Sequence, residues 1–392
     1  MEFRTCLYSP YYYYASKSSK YERQNYRSNL SLSYRLSSRF RPFVRVAHLY
    51  HWSTGSVDPR MDDKRFDLKL QPGIIFYIKN SNLALSGIYG KGNERLSVDY
   101  KNRNYLQNLV FPDRIHYLSL GYGYNGIKDT SSMRKYNSYR GFELSYHQDW
   151  EGKMLDILSS YVDREERFTT DGRATSKNYN TRGIYNEAAI KFEASLNIVG
   201  RRSNDYLSFY SERVEGSDLL SDLSTNLSKS NYEVQAWTNR LTYMKETKKS
   251  SKLNYQIALG LEHYFLNRQD HASGIDVSNH IIKTSLPLGL IVRRNYEEKW
   301  VINFNPNIQI PVSGKLTYSE NALNNFIRDV IFWDYNYLNT SNYGADFSVE
   351  FISKRIVKDY NLGVFGGWKY QRGKVSGYLN RQQYEIGMRM YL

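Results

Sequence analysis

Alternation with a period of two, sustained over runs of ten or so residues, is the feature that most limits what this chain can become. From Ile282 to Val292 the even positions are Ile282, Thr284, Leu286, Leu288, Leu290 and Val292, while the odd positions carry Lys283, Ser285, Pro287, Gly289 and Ile291, with Arg293 next. From Trp300 to Ile310 the even set is Trp300, Ile302, Phe304, Pro306, Ile308 and Ile310, against Val301, Asn303, Asn305, Asn307 and Gln309. A strand separates two such sets onto opposite faces, whereas a helix would mix them. The same split recurs from Phe66 to Ile78 (with Lys69 on the polar side), from Leu253 to Leu261, and from Ala345 to Phe351. A tilted strand crosses a bilayer in about 9–11 residues, and soluble strands average nearer five or six. These runs have membrane length.

Composition sharpens the choice. Tyr occurs 38 times and aromatics make up 16% of the 392 residues, yet the mean hydropathy is -0.66. Rings combined with abundant Asn, Ser, Arg and Lys fit strands with one greasy and one wet face, and the aromatic girdles at headgroup level. No run of 18 apolar residues is present, so strands are the only available membrane spans. The formal charge is +15, but no block of five or six basic residues forms an arm or recognition helix. That spread points to anionic lipid or lipopolysaccharide, and away from nucleic acid. Cys6 is the sole cysteine, which excludes an internal disulfide and a Cys-rich metal site.

Connections alternate between tight and long, the outer-membrane pattern. Tight turns are expected at Ser37 to Arg39, Asn80 to Asn82, Glu151-Gly152, Lys248 to Ser251, Glu297-Glu298 and Val357 to Asp359. Long loops are expected at Ser53 to Asp63, Asp163 to Asn180, Asn267 to Asn279 and Ser313 to Asn342. Lys101 to Pro112 and Gly126 to Asn137 are both long and break the alternation, so one strand there is miscounted or a loop folds inward. Within the longest loop, Leu323, Phe326, Ile327 and Val330 share a helical face, which predicts a short lumenal helix over Asn321 to Trp333. The expected fold is all-β: one antiparallel transmembrane β-barrel over residues 1–392 with roughly 14 visible strands, between 12 and 16.

The chain ends inside a strand, where Tyr384, Ile386, Met388, Met390 and Leu392 alternate with Glu385, Gly387, Arg389 and Tyr391. Glu385, Gly387, Met390 and Leu392 fill the four places of a strand that resembles the signal read by the outer-membrane barrel assembly machinery; Leu392 stands where Phe is common. Ser9-Pro10-Tyr11, Asp58-Pro59-Arg60, Gln71 to Tyr77 and the Tyr-rich strands resemble an uncharacterised family of outer-membrane β-barrels from Bacteroidota, over most of the chain. Members of that family carry a signal peptide and further strands upstream. Met1-Glu2-Phe3-Arg4 opens no signal peptide, because no apolar core follows. The resemblance therefore implies an N-terminally truncated sequence, whose strands should leave a seam or close with strain near the start. It implies no catalytic residue, cofactor or substrate.

Catalytic and metal chemistry find little support. His147 with Asp149, and Asp270 with His271, are the close acid-histidine pairs; the first should sit at the periplasmic rim, and the second need not converge in space. The seven histidines have no helical i, i+4 spacing and no Cys partner. Gly121 to Tyr124 and Gly363 to Gly367 read as close packing or a kink within strands, with no following helix to make a phosphate loop. The polar faces say more. Lys69, Lys283, Arg293, Asn303, Asn305, Asn307, Gln309 and Lys369 should face the lumen, and a wall of amides and cations favours polar or anionic solutes. The function expected is a non-enzymatic transport, pore or accessory structural role without cofactors, in company with other outer-membrane uptake proteins. Two alternatives remain open at this point: a barrel hydrolase of lipase or protease type, and a soluble all-β binding protein with an apolar core.

Overall fold

A computed structural model describes residues 8–15, 17, 19–105, 111–123, 125–127, 132–170, 181–222, 227–248, 252–294, 298–320, 323–324, 326–357, 360–373 and 379–391. Its strands are β1 (Tyr11–Ala15), β2 (Tyr21–Ser33), β3 (Phe40–Gly55), β4 (Arg60–Ile78), β5 (Ser81–Asp99), β6 (His116–Leu120), β7 (Asn125–Ile127), β8 (Ser132–Trp150), β9 (Lys153–Thr169) and β10 (Gly183–Val199). They continue with β11 (Ser203–Asp222), β12 (Leu227–Lys229), β13 (Tyr232–Lys248), β14 (Leu253–Asp270), β15 (Ile275–Ser285), β16 (Leu288–Arg293), β17 (Glu298–Thr317), β18 (Asn342–Val357), β19 (Tyr360–Gly373) and β20 (Leu379–Tyr391).

The wall strands pair antiparallel in chain order from β2 to β20, with β5 passing directly to β8 and β11 to β13, and the sheet curls round as a barrel. β15 and β16 are one crossing interrupted at Leu286-Pro287. β14 and β17 pair with both halves and form a small ring of ladders round the break. Counted so, and with β12 taken as a short extension beside β11, fifteen strands make the wall. Among the described residues β2 has a ladder only to β3, and β20 only to β19.

The wall is apolar outside and polar inside. Leu68, Leu70, Leu241, Leu259, Leu261, Phe304, Ile308 and Ile310 are exposed, Leu259 by 58%. Arg65, Asp67, Glu94, Lys135, Arg164, Glu166 and Arg268, on the other face of their strands, are buried. A soluble protein hides the first set and wets the second. Removing each outward Leu, Ile or Phe from water contributes about 1.5–3 kcal/mol, so this surface is built for hydrocarbon and not for a dry inner core. Of the outward residues on the β15–β17 stretch, Leu286, Leu288, Phe304 and Ile308 are exposed, and Leu290 and Ile302 are half-buried on the same face.

The wall is taller than a membrane. β10 has 17 residues; at ~3.3 Å per residue and a tilt of ~40° it rises about 43 Å, against an apolar band of about 25 Å. The surplus stands on the loop side. There the outer face carries ion pairs instead of hydrocarbon: Lys64–Asp62 (3.1 Å), Arg167–Glu165 (2.6 Å), Arg213–Glu215 (2.5 Å) and Lys315–Asp276 (3.1 Å).

This surplus explains two loops that the sequence overstates. β3 and β4 are joined by only Ser56 to Pro59, and β14 and β15 by His271 to Gly274, with Gly274 at φ +64°. Strands outside lipid are polar on both faces, so hydropathy stops alternating while the ladder continues. For the same reason β9 runs on to Thr169 before the loop expected from Asp163. The expected turns at 248–251, 297–298 and 357–359 fall largely outside the described residues.

Inside the wall lies a second, three-stranded sheet, β1–β6–β7. The chain between β5 and β8 folds inward to supply β6 and β7, which accounts for the broken alternation of loops. β8 starts at Ser132, inside a stretch that reads as loop. The 318–341 segment contributes a π-helical turn (Ile327–Ile331) running into helix α1 (Phe332–Leu338). It ends five residues later than its apolar face predicts, and it buries Phe326, Ile327 and Ile331 against the inner sheet, with Leu323 and Val330 packed beside them. Gly121 to Gly123 form a bend after β6 and no part of a wall strand; Tyr124 is outside the described residues.

Candidate functional site

The lumen on the loop side is filled by the chain itself. Tyr11 and Leu118 are 0% exposed at the centre of this filling. The first part of the plug, residues 8–15, is seated on inward side chains of β9 to β11. Ser9 Oγ donates to Glu166 Oε1 (2.5 Å), and the Tyr11 hydroxyl donates to Asp218 Oδ2 (3.2 Å). The Tyr11 ring lies 4.0 Å from that of Phe168. Gly183 leaves this room open, since a Cβ there would overlap both Tyr11 Oη and Phe168. Asp218 Oδ1 also accepts the backbone N–H groups of Asn231 (2.9 Å) and Tyr232 (2.7 Å), so one carboxylate ties the plug to the β11–β13 connection.

The second part, the inward fold between β5 and β8, is held at three heights. Asn231 Nδ2 donates to Leu120 O (3.2 Å), and Asn324 Nδ2 donates to Gly123 O (2.9 Å). The Arg268 guanidinium lies 4.8 Å from the Tyr122 ring centroid. At the mouth, Asp58 O accepts from Arg114 Nη1 (3.0 Å), and Asp58 Oδ2 from the Asn102 N–H (2.9 Å). Burial alone would raise the Asp58 pKa, but donation from Asn102 and Lys101 and the Arg60 guanidinium at 3.2 Å hold it below the ordinary carboxylate value. Tyr100 donates to Arg114 O (2.7 Å) beside His116 Nδ1 (2.8 Å), and burial pushes its hydroxyl up to about 12.

Beneath the plug a buried ion array crosses the wall from β4 to β10. Arg65 meets Asp67 and donates to the Tyr139 hydroxyl (3.3 Å). Lys135 Nζ lies 3.7 Å from Glu94 and 3.8 Å from Glu166. Arg164 bridges Glu166 (3.5 Å) and Glu187 (3.4 Å). Buried charges persist only when paired this way. Sequence reasoning missed this array, although a signal was there: Arg65/Asp67 and Arg164/Glu166 are same-face neighbours at i, i+2 on strands.

Towards the turn rim the inner face of β17 to β20 borders a cavity of about 230 Å³. Asn303, Asn305, Ser348, Lys369 and Gln383 line it with the carboxylates of Asp346, Glu350 and Glu385 and with Arg389 over Phe365. Asn303 Nδ2 donates to Ser348 Oγ (3.3 Å), and Asn307 Nδ2 to Asn305 O (3.3 Å). Gln309 is buried under α1 and donates to Leu338 O (3.4 Å). Lys283 lies apart from this group in an ion triad, 3.4 Å from Glu262, which Arg240 also meets at 2.6 Å. Lys69 Nζ sits 4.2 Å from the Tyr139 ring centroid under the plug, and Arg293 is half-buried at the end of β16. Of the assembly-signal residues, Glu385 lines the cavity and Gly387 faces the Phe365 ring, which a Cβ would overlap. Met390 pairs in register with Leu362, and Leu392 is outside the described residues.

The acid-histidine pairs have structural partners. His147 at the turn rim is held by Asp156 (2.6 Å) and Asp149 (3.2 Å). Asp270 and His271 diverge: the first caps the Ser273 N–H (3.0 Å), and the second lies 3.7 Å from Glu233. No group of three or more metal-ligating side chains occurs among the described residues.

An outward apolar belt, an inward polar wall and a self-filled lumen define an outer-membrane β-barrel with its loop-side mouth occupied by its own chain. Within that class, the chain belongs to a family of unknown function, DUF6850, over residues 4–392. No curated protein matches it. Among solved structures, the siderophore receptor PiuA from Acinetobacter baumannii superposes with a TM-score of 0.51 at 8% identity, over 96% of this chain and 64% of the receptor. The copper transporter OprC gives 0.50 at 7% identity, over 96% of this chain and 73% of that one. The chain thus spans somewhat under two thirds of the receptor's length. At such identities the likeness is one of architecture.

Proposed function

We propose that this protein is a transport barrel of the outer membrane whose passage is controlled by its own plug, and not a permanently open pore or an enzyme. The observation that carries the proposal is the seat of the plug. It is fixed by discrete polar ties such as Tyr11–Asp218 and Asn324–Gly123, over an array of paired charges. Polar ties across a filled lumen can be exchanged for ties to a solute or partner, whereas a continuous apolar core cannot. Two architectural neighbours are by name a siderophore receptor and a copper transporter, which favours uptake over adhesion. An accessory role beside a larger uptake protein uses the same plug, and lipopolysaccharide and the barrel assembly machinery are the partners that the setting calls for.

The solute class we favour is polar and near neutral. The cavity sets three carboxylates, Asp346, Glu350 and Glu385, against Lys369 and Arg389, so its field does not select anions despite the basic chain. The test is permeation. Wild-type protein in liposomes should pass small sugars slowly, and replacing residues 103–129 with a short Gly-Ser turn should raise the rate at least tenfold. A wild type as leaky as the deletion, or a refolded deletion that stays sealed, would overturn the proposal. Measurable ester or peptide turnover by the wild type would overturn its non-catalytic part.

A further inference from the structure

On the outer wall, opposite the lumen, two imidazoles meet. His263 of β14 and His280 of β15 point outward, sharing faces with the exposed Leu259 and Leu261 and with Ile282. Their Nε2 atoms are 2.6 Å apart, and the rings stand at 88° with centroids at 4.7 Å. On the far side of His263, Asn239 Nδ2 lies 3.2 Å from Nδ1. If that amide donates, His263 Nδ1 accepts, and the proton between the rings sits on His263 Nε2 and is given to His280 Nε2. The tautomer that results aims both Nε2 atoms at one point.

Position makes the pair more telling. His280 lies in the cross-strand row Arg213, Trp237, Phe265, His280, Ser313. One neighbour on, Arg213 pairs with Glu215, and below the row the face is Leu241, Leu259 and Leu261. The histidines therefore stand at the boundary between the apolar belt and the charged loop-side wall, the level of lipid headgroups. Two polar rings amid Trp237, Phe265 and leucines gain nothing from packing there that aliphatic residues would not supply. The cavity described above and the buried ion array already belong to the transport reading; this pair does not.

We propose that His263 and His280 form a binding site for a divalent transition-metal ion of the zinc and copper class, on the lipid-boundary face of the barrel. Neutral imidazole nitrogen is the preferred donor for these ions. Tetrahedral bonds of ~2.0–2.1 Å place two nitrogens roughly 3.3 Å apart, so transfer of the His263 proton from Nε2 to Nδ1, which leaves both imidazoles neutral, and an opening of about 0.7 Å convert the hydrogen-bonded pair into a ligand pair. Water fills the remaining positions, and the Asn239 amide, turned so that Oδ1 accepts the His263 Nδ1–H, orients the ring as an outer partner orients a metal-bound imidazole. Trp237, whose ring lies edge-on to His263 at 6.2 Å, reports occupancy.

The experiment is a Cu²⁺ titration of the full chain in detergent, followed by tryptophan fluorescence and by calorimetry. One ion should bind and quench part of the emission, and Zn²⁺ should restore that emission by displacing it. Trp237→Phe should remove the quenching while the calorimetric midpoint stays in place. His263→Asn and His280→Asn should each weaken binding at least about tenfold, and His271→Asn and His147→Asn should leave the quenching unchanged. Equal quenching in the His263→Asn/His280→Asn double variant, or no saturable quenching in the wild type, would overturn the assignment. Since the pair lies outside the lumen, permeation is unaffected by either result, and the two proposals fail separately.

Discussion

Placing one arginine on each face of the wall is the sharpest test of the inside-out arrangement. Leu288 and Asn305 lie on paired crossings, where Leu288 opposes Phe304 and Asn305 opposes Asp346. Leu288 is five residues from the end of β16 at Arg293. At ~3.3 Å per residue and ~40° tilt it stands about 13 Å from the turn rim, half-way up an apolar band of about 25 Å. Leu288→Arg therefore puts a guanidinium near the bilayer midplane, which costs about 2–4 kcal/mol. Asn305→Arg puts it on the cavity wall beside Asp346, where Asn305 Oδ1 is buried without a hydrogen-bond partner. That change should cost under about 1 kcal/mol, because the new charge has both water and a counter-ion. Urea titration of refolding in lipid vesicles, read by tryptophan emission, gives both values. Equal costs for the two variants would refute the arrangement, as would wild-type protein that stays folded and monodisperse in water without detergent.

Other consequences follow from the plug. Asp218→Ala leaves the Asn231 and Tyr232 N–H groups and the Tyr11 hydroxyl without their acceptor. It should cost about 1–3 kcal/mol per stranded donor and speed proteolysis within residues 8–20. Gly121→Ala would drive a Cβ into Asp270 and Asn231, whereas nothing lies within 4 Å of a Cβ at Gly87. Thermal unfolding should show about 1–3 kcal/mol lost for the first and almost none for Gly87→Ala. The depressed pKa of Asp58 gives stability that is present above its unfolded value and lost as pH falls through the folded one; Asp58→Asn should flatten that acid limb. For Tyr100 the sign reverses: its contribution is full below the free tyrosine value of ~10 and is lost as pH rises from there to about 12. Plug proteolysis measured between those limits should rise in the wild type and less so in Tyr100→Phe.

The wall was legible in the sequence because lipid on one side and water on the other write a hydropathy signal at the strand period. Leu253 to Leu261 and Trp300 to Ile310 carry that signal in full. It fades where the strands leave the membrane, which is why 53–63 and 267–279 read as loops. The plug was hidden for the opposite reason. Tyr11 and Tyr13 are buried and Tyr12 and Tyr14 pack partly buried beside them, while Ser119 is as buried as Leu118 and Leu120. Neither β1 nor β6 therefore has a wet face to write a strand-period signal, and each is too short to be told from a loop. Amides such as Asn303 and Asn305 could be assigned a face but not a neighbourhood, since their cavity depends on Glu350, Phe365 and Arg389 from other strands. The carboxylates on that wall, unlike its cations, drew no notice.

The inner sheet has a bearing on biogenesis. β6 is tethered at both ends, through β5 and β8, to adjacent staves of the wall, and it pairs with β1 from about a hundred residues earlier, Tyr13 against Leu118. Both anchors leave the wall at the same rim, where Ser97 pairs with Ser132, so this segment enters the lumen as a folded-back loop, either while the cylinder is being made or through its mouth afterwards. Residues 8–15 are then either inside when β8 docks on β5, or reach β6 later through the loop-side mouth. The two routes differ in chronology: the first makes maturation of the interior simultaneous with membrane insertion, and the second leaves a hollow, protease-sensitive intermediate that lives until one strand finds its mate.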